Sequence, residues 1–191
     1  MTRLLLVSGS LRQDAWNTRL LHYLAEPLHA EATLDVLLPS EVTLPLFDQD
    51  LEHDPLLRPA LLAVHQRFVA CDGLLIASPE YNGQPTAYLK NLIDWVSRLS
   101  YLDAGFANPF HGKPVLLCSA TTGWSGGAQG LQAARSLFAY LGALVLGETI
   151  TVAHVDQAWD GERFQFDPFF ADYLFRTSQR LSALAGTLSH S

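Results

Sequence analysis

Five short apolar runs, each closed by turn-forming residues, alternate along the chain with segments of helical periodicity. The runs lie at residues 3–7, 33–38, 73–78, 115–119 and 144–153, with Gly147 as a candidate break in the last. The helical segments lie at residues 18–29, 55–69, 87–99, 128–141 and 168–184. Continuous apolar runs are typical of strands covered on both faces, and intervening helices require right-handed crossovers. The alternation predicts an α/β fold with a doubly wound five-stranded parallel sheet and helices on both faces.

Length and composition limit the classes of protein that remain. A chain of 191 residues fits one domain, expected at residues 1–191. The net charge of −7 argues against nucleic acid as a partner, because phosphate neutralisation needs clustered Lys and Arg. No apolar run approaches the roughly 20 residues of a membrane span, so we expect no membrane partner and a cytoplasmic location. Cys71 and Cys118 form no CxxC pair and are expected to be buried, unpaired thiols.

The loop at residues 8–18 follows the first predicted strand. Ligands of open parallel sheets bind outside the carboxyl ends of the strands, so this loop is a candidate site. The Ser10 hydroxyl, backbone N–H groups and the helix N-terminus can bind phosphate oxygens, and Arg12 adds charged donors. The alternative is an ordinary surface loop with a serine cap. The loop lacks both GxGxxG and GxxxxGK[ST], which argues against a Rossmann dehydrogenase and a nucleoside triphosphatase.

The loop at residues 78–85 follows the third predicted strand. It combines turn formers with Tyr81, a composition suited to presenting backbone groups to the polar edge of a planar ring. In the alternative interpretation, Asn82-Gly83 only forms a tight turn.

The loop at residues 119–127 follows the fourth predicted strand and contains Gly123-Trp124-Ser125-Gly126-Gly127, which matches the GxSxG nucleophile elbow. A serine hydrolase is therefore an alternative. It needs an acid and then a histidine further along the chain, and only His190 follows the candidate acids. Three residues also separate the motif from the strand, whereas an elbow turns directly off it. Both points disfavour hydrolysis.

No metal site is expected. The seven histidines form no HxxxH pair, and no His, Cys or carboxylate cluster has ligand spacing. The acidic segment at residues 48–54 is interpreted as a solvated loop.

Taken together, the loops resemble those of the NAD(P)H-dependent FMN reductase family, flavodoxin-like proteins that include quinone, azo-dye and chromate reductases. Residues 8–17 are similar to the family's GSLRxxSxN segment, and residues 79–83 and 89–95 to its PEYNG and LKNxIDW blocks. Residues 44–52 resemble its long loop after the second strand, and Gly126-Gly127 and residues 141–143 its GG and LGA elements. The resemblance extends from about residue 4 to residue 147.

This resemblance implies a flavodoxin-like fold and an enzyme in which NADPH or NADH delivers hydride to N5 of FMN. A quinone-like or similar small molecule is then the electron acceptor. The implied cofactor-binding residues are Ser10, Arg12 and Asn17 at the phosphate, and Pro79, Glu80, Tyr81, Asn82 and Gly83 at the ring, with Ser119 and Gly123 opposite. No catalytic acid or base is expected, because the flavin carries the chemistry. The family also implies a homodimer or homotetramer, with the helix at residues 87–99 as a candidate interface.

Two positions depart from the family pattern. Ala15 stands where relatives often have a phosphate-binding serine, and the loss of that hydrogen bond is expected to weaken FMN binding by up to about tenfold. Residues 84–87 replace a segment with Ser and Pro-Gly in relatives, so substrate preference is expected to differ. The competing class is a non-enzymatic electron carrier of the flavodoxin kind. The PEYNG and LKNxIDW blocks favour the reductase.

Overall fold

A five-stranded parallel sheet forms the centre of the protein. The computed structural model describes residues 1–189. In chain order its strands are β1 (Thr2–Ser8), β2 (Ala32–Leu37), β3 (Gly73–Ala77), β4 (Glu80–Tyr81), β5 (Gln84–Pro85), β6 (Pro114–Ala120) and β7 (Leu144–Val152). The sheet has the order β2-β1-β3-β6-β7, and every neighbouring pair is parallel. Strands β4 and β5 form a separate antiparallel hairpin. The predicted doubly wound fold is confirmed.

Within residues 1–189, five α-helices cover the sheet on both faces and create two apolar cores. They are α1 (Trp16–Ala25), α2 (Arg58–Ala70), α3 (Ala87–Leu102), α4 (Ala128–Tyr140) and α5 (Pro168–Leu188). Residues of α2, α3 and α4 pack on one face, together with Leu5 and Val7 of β1. Residues of α1 and α5 pack on the other face, together with Leu4 and Leu6. Successive strand residues point to opposite faces, which explains why the strands read as continuous apolar runs.

Most element boundaries differ from the sequence prediction by one to four residues, and two of the differences have a clear physical reason. The first helix begins two residues early, at Trp16, and after Ala25 a short 3₁₀ helix (Glu26–Ala30) continues it, because Pro27 cannot donate to an α-helical ladder. The expected break at Gly147 is wrong. Strand β7 runs through this glycine, and a register shift against β6 absorbs the extra residues as a bulge.

Three further expectations can be compared with the structure. Cys71 and Cys118 are free and buried, as expected. The interpretation of residues 48–54 as a solvated loop is wrong for Glu52, whose buried carboxylate pairs with Arg98 of α3. That carboxylate raises the pKa of the Arg98 guanidinium through their hydrogen bond. Within residues 1–189, no helix combines the length and the apolar character needed to cross a membrane.

Candidate functional site

A cleft of about 210 Å³ opens at the carboxyl ends of β1, β3 and β6. The chain crosses from β2 to β3 over β1 here, and such switch points are where open α/β sheets bind ligands. All three loops singled out in the sequence contribute to it. The lining residues are Ser10, Arg12, Ala15, Trp16, Asn17, Pro79, Glu80, Tyr81, Ala120, Thr121 and Thr122.

The first loop leads into α1, whose N-terminus is suited to an anion. Within the described part of the chain no side chain caps this helix, and its first turn contains no acidic residue. Its first N–H groups therefore lack a side-chain acceptor, and the helix dipole favours negative charge there. The buried Ser10 and the exposed Arg12 line the same cleft. This donor set fits a phosphate group.

Gly9 brings the first loop against β3. Its N–H donates to the carbonyl oxygen of Ala77 at 2.7 Å. A Cβ added at Gly9 would lie 3.2 Å from that oxygen and 3.2 Å from Ser78 Oγ, so a side chain at this position would be crowded against the end of β3. Thr86 fixes the loop from the other side, because its hydroxyl donates to the carbonyl oxygen of Gly9 at 2.6 Å.

Asn17 joins the first loop to the end of β6. Its Nδ2 donates to the carbonyl oxygen of Ala120 at 2.9 Å, and its Oδ1 accepts from the N–H of Ala120 at 3.0 Å. The side chain is buried. The Asn17 carboxamide thus links the first loop to the end of β6, and these two segments line the cleft from different sides. The sequence analysis did not predict this role. Direct contact between Asn17 and a phosphate stays a prediction.

The second loop is the β4–β5 hairpin. Asn82 and Gly83 adopt φ angles of 54° and 73°, as a two-residue type I′ turn requires. Glu80 Oε2 accepts from the N–H of Gly130 in the first turn of α4 at 2.9 Å. Thr86, directly after the hairpin, accepts from the N–H of Leu89 at 3.1 Å and so caps α3. Asn82 and Gly83 therefore form the tight turn, which is anchored at both ends beside the cleft, and a contact between this hairpin and a ring stays a prediction.

The third loop lines the cleft through residues other than those expected. Thr121 and Thr122 line it, and the sequence analysis missed both. Ser119 is fully buried, and its Oγ has no hydrogen-bond partner within residues 1–189. It lies beneath Gly127, where a Cβ would come within 2.0 Å of Oγ. Gly123 is exposed beside the cleft rather than among its lining residues. Thr121 and Thr122 directly follow β6 in the sequence, and this position alone would have predicted that they line the cleft.

The nucleophile-elbow motif does not form a hydrolytic site in the described residues. Strand β6 ends at Ala120, so Ser125 does not sit on a sharp strand-to-helix turn. Its Oγ accepts from the N–H of Gly127 at 3.3 Å, and no histidine side chain among residues 1–189 bonds to it. His190 lies outside the described residues.

The LKNxIDW block has a structural role next to the site. Asn91 accepts from the N–H of Phe47 at 2.7 Å and donates to the carbonyl oxygen of Pro45 at 2.9 Å. Trp95 is buried, and its Nε1 donates to the same oxygen at 2.8 Å. The two side chains hold the long segment after β2 against α3.

A parallel sheet with this strand order and a polar cleft at its switch point defines the class of flavodoxin-like proteins. Comparison with solved structures agrees. FerB, a flavoenzyme NAD(P)H:(acceptor) oxidoreductase from Paracoccus denitrificans, superposes with a TM-score of 0.81 at 22% identity over 98% of both chains. An archaeal flavodoxin gives a TM-score of 0.61 at 12% identity, covering 99% of this chain and 100% of the flavodoxin.

The sequence comparisons identify the family. Residues 2–157 match the family described as NADPH-dependent FMN reductase. Quinone reductase of Escherichia coli strain K12 is 34% identical over 141 residues, which are 73% of this chain and 71% of that protein. A 2-hydroxy-1,4-benzoquinone reductase from Burkholderia is 32% identical over 146 residues, covering 76% and 75%. The chain belongs to the NADPH-dependent FMN reductase family, and it is an oxidoreductase that uses FMN and a nicotinamide nucleotide.

Proposed function

We propose that FMN binds in the cleft with its phosphate at the first loop and its ring beside the second and third loops. The observation that carries this proposal is the uncapped N-terminus of α1 in the same cleft as Ser10 and Arg12. When bound, FMN supplies two-electron chemistry between a nicotinamide nucleotide and an acceptor. The Ser10 hydroxyl and the Arg12 guanidinium donate to the phosphate, while Asn17 keeps the first loop in register with β6.

The ring-binding part of the proposal rests on the hairpin. Pro79, Glu80 and Tyr81 line the cleft, and the bond from Gly130 to Glu80 fixes the hairpin that contains them. Asn82 and Gly83 are proposed as further contacts with the ring. A fixed hairpin loses little conformational entropy when a ligand binds. Ser119 and Gly123 remain proposed contacts on the side of the ring opposite the hairpin. Thr121 and Thr122 are the better placed of the third-loop residues, since they line the cleft.

We propose a quinone-like acceptor. Two relatives bear the names quinone reductase and 2-hydroxy-1,4-benzoquinone reductase. Tyr81 lines the cleft with 53% of its surface exposed, and Trp124 in the third loop is 85% exposed. Exposed aromatic faces stack on flat molecules, and such stacking favours planar acceptors without strong discrimination among them.

Anaerobic reduction of the FMN-loaded protein tests the enzymatic proposal against the electron-carrier alternative. Addition of NADPH or NADH should bleach the flavin absorbance, and a quinone added afterwards should restore it. An electron carrier would show no bleaching with either nucleotide, because it receives electrons from a protein partner. Protein that fails to take up FMN at all would contradict both.

We also propose a cytoplasmic homodimer or homotetramer. The two buried, free cysteines suit a reducing compartment. The apolar residues of α3 are packed into the core of their own chain, so any interface on this helix would use its polar outer side, with Lys90, Asp94 and Tyr101. Light scattering during size-exclusion chromatography measures the assembly directly.

A further inference from the structure

Trp16 connects the proposed flavin cleft to a part of the chain outside the family match. It is the first residue of α1, so its backbone N–H is one of the uncapped donors proposed for the phosphate, and the residue lines the cleft. Its indole ring also contacts the rings of Trp159 and Phe164. The family match covers residues 2–157, so it assigns no role to these two aromatic residues.

Trp159 and Phe164 lie on a turn at residues 158–165 that is ordered by its own hydrogen bonds. The two residues form an antiparallel bridge. Between them, the Asp160 carboxylate accepts from two backbone N–H groups of the turn at 2.8 and 2.9 Å and from the Gln165 side chain at 2.8 Å. These bonds do not involve the cleft. The turn is therefore a fixed surface on which α1 can rest.

The aromatic contacts between the turn and α1 hold the Trp16 ring. The ring centroids of Trp16 and Trp159 lie 5.8 Å apart with an interplanar angle of 72°, the edge-to-face geometry that aromatic pairs favour. Phe164 is buried, and its centroid lies 6.3 Å from that of Trp16 and 5.1 Å from that of Trp159. Rotation of the Trp16 side chain would break these contacts.

Arg19, one helical turn after Trp16, strengthens the same connection. Its guanidinium carbon lies 4.9 Å from the ring centroid of Trp16 and 4.3 Å from that of Trp159. A planar guanidinium stacks on aromatic rings as well as carrying charge. The ion pair of Arg19 with Asp14 is weaker, because its atoms lie 3.6 Å apart and the Asp14 side chain is 85% exposed. Trp159 thus contacts α1 at two positions beside its N-terminus.

We propose that Trp159 is a positioning residue for the phosphate end of the cleft. It is not among the described residues that line the cleft, and it acts by fixing Trp16 and Arg19 and, through them, the first N–H groups of α1. Donors that are already oriented bind an anion with less loss of conformational entropy. This inference rests on the proposed function, in which the FMN phosphate lies at these donors.

Titration of the flavin-free protein with FMN and with riboflavin, followed by flavin fluorescence, tests the proposal. Riboflavin has the ring but no phosphate, so the ratio of its dissociation constant to that of FMN reports on the phosphate end. Trp159→Leu should lower this ratio by roughly threefold to tenfold and leave riboflavin affinity unchanged. Trp159→Phe should keep a ratio close to that of the wild type, because a phenyl ring can still make an edge contact with Trp16.

Phe166→Leu is the matched control. The ring centroid of Phe166 lies 5.3 Å from that of Tyr23 and 5.0 Å from that of Phe164, so the variant removes aromatic packing of the same kind. Within residues 1–189, Phe166 makes no ring contact with Trp16. Phe166→Leu should therefore lower Tm but keep the ratio of the two dissociation constants.

Arg19→Lys provides a second test that does not depend on the folding of a Trp159 variant. It keeps the positive charge and loses the planar stacking between the two indole rings. The ratio should fall by about twofold, and the cause cannot be a change in net charge.

Three outcomes would overturn the role of Trp159 while leaving the proposed flavin site intact. They are an unchanged ratio in either Trp159→Leu or Arg19→Lys, an equal loss of FMN and riboflavin affinity in Trp159→Leu, and an equal fall of the ratio in Phe166→Leu. The last two would indicate general destabilisation. Equal affinities of the wild type for FMN and riboflavin would contradict the proposed phosphate site itself, and the inference with it.

Discussion

At the scale of single residues, Asn17 sets the distance between the first and third loops. Both of its hydrogen bonds go to the backbone of Ala120 in a buried position. Asn17→Ala leaves that N–H and carbonyl unpaired, which costs about 1–3 kcal/mol. We expect the free energy of unfolding in urea to fall by this amount and the FMN dissociation constant to rise. Gln13→Ala, at an exposed position of the same loop, is the control, and an equal loss in both variants would rule out the Asn17 clamp.

His65 is a second residue whose environment leads to a measurable prediction. Burial in α2 lowers the pKa of its imidazole, although a hydrogen bond to the backbone of Ala107 opposes the shift. The folded state therefore prefers neutral His65. Its contribution to stability is complete above the unfolded pKa of about 6.5 and is lost as the pH falls through the lower folded pKa.

Unfolding at about pH 8 and about pH 5 measures this contribution. The wild type should lose more stability between the two values than His65→Gln, because glutamine does not titrate and can still donate to Ala107. The acid-induced loss shared by both proteins comes from the other ionisable groups. Identical losses in the two proteins would mean that His65 titrates alike in the folded and unfolded states.

The sequence predicted residue chemistry better than residue orientation. Ser10, Arg12 and residues 79–81 line the cleft as expected. The loops that follow parallel strands all lie at the same edge of the sheet, so their polar residues come close together. Ser119 is directed beneath Gly127 instead, and the alternation of side chains in β6 decides this together with the path of the loop. The Asn17 bond spans 103 positions. Local patterns contain no signal for such a contact.

At the scale of elements, the β4–β5 hairpin depends on its bond to α4. Glu80 places a negative charge at the helix N-terminus, where the dipole favours it. Glu80→Ala should weaken FMN binding by roughly threefold to tenfold, since the hairpin loses its anchor. Glu80→Gln should have a smaller effect, because the amide oxygen still accepts from Gly130. Fluorescence titration with FMN measures both, and Gln84→Ala, an exposed change in the same hairpin, should bind FMN normally.

The main elements were predictable because their apolar periodicity is long. Each of the five parallel strands and five helices was expected at its place, since sheet and helix faces must be covered whatever the loops do. The hairpin strands contain two residues each, too few to show a period. Strand β7 continues through Gly147 as a bulge, in which residues 146–148 have no register partner in β6. The alternation of residue types along the chain contains no signal for such a shift of register.

At the scale of the whole molecule, stability and binding are separated in space. The two apolar cores lie on either face of the sheet, whereas the cleft proposed for FMN lies at the ends of its strands, where loops 8–18, 78–85 and 119–127 meet. Asn17 joins the first loop to the end of β6, Thr86 joins it to the residue after the hairpin, and Glu80 joins the hairpin to α4. The three loops lie outside the two apolar cores. A ligand that contacts all three therefore stabilises a part of the molecule to which core packing contributes least.

FMN should accordingly stabilise the folded protein. At a free concentration about 100-fold above its dissociation constant, a ligand adds about 2.7 kcal/mol, which for a chain of this size raises Tm by about 5 to 10 °C. Riboflavin has the same ring but no phosphate, so at equal concentration it should raise Tm less. In Arg12→Ala the difference between FMN and riboflavin should shrink, because the variant removes a phosphate donor and leaves the ring contacts. Thermal unfolding followed by circular dichroism measures all four combinations. If Arg12→Ala reduces the increase in Tm caused by FMN and the increase caused by riboflavin equally, Arg12 does not bind the phosphate.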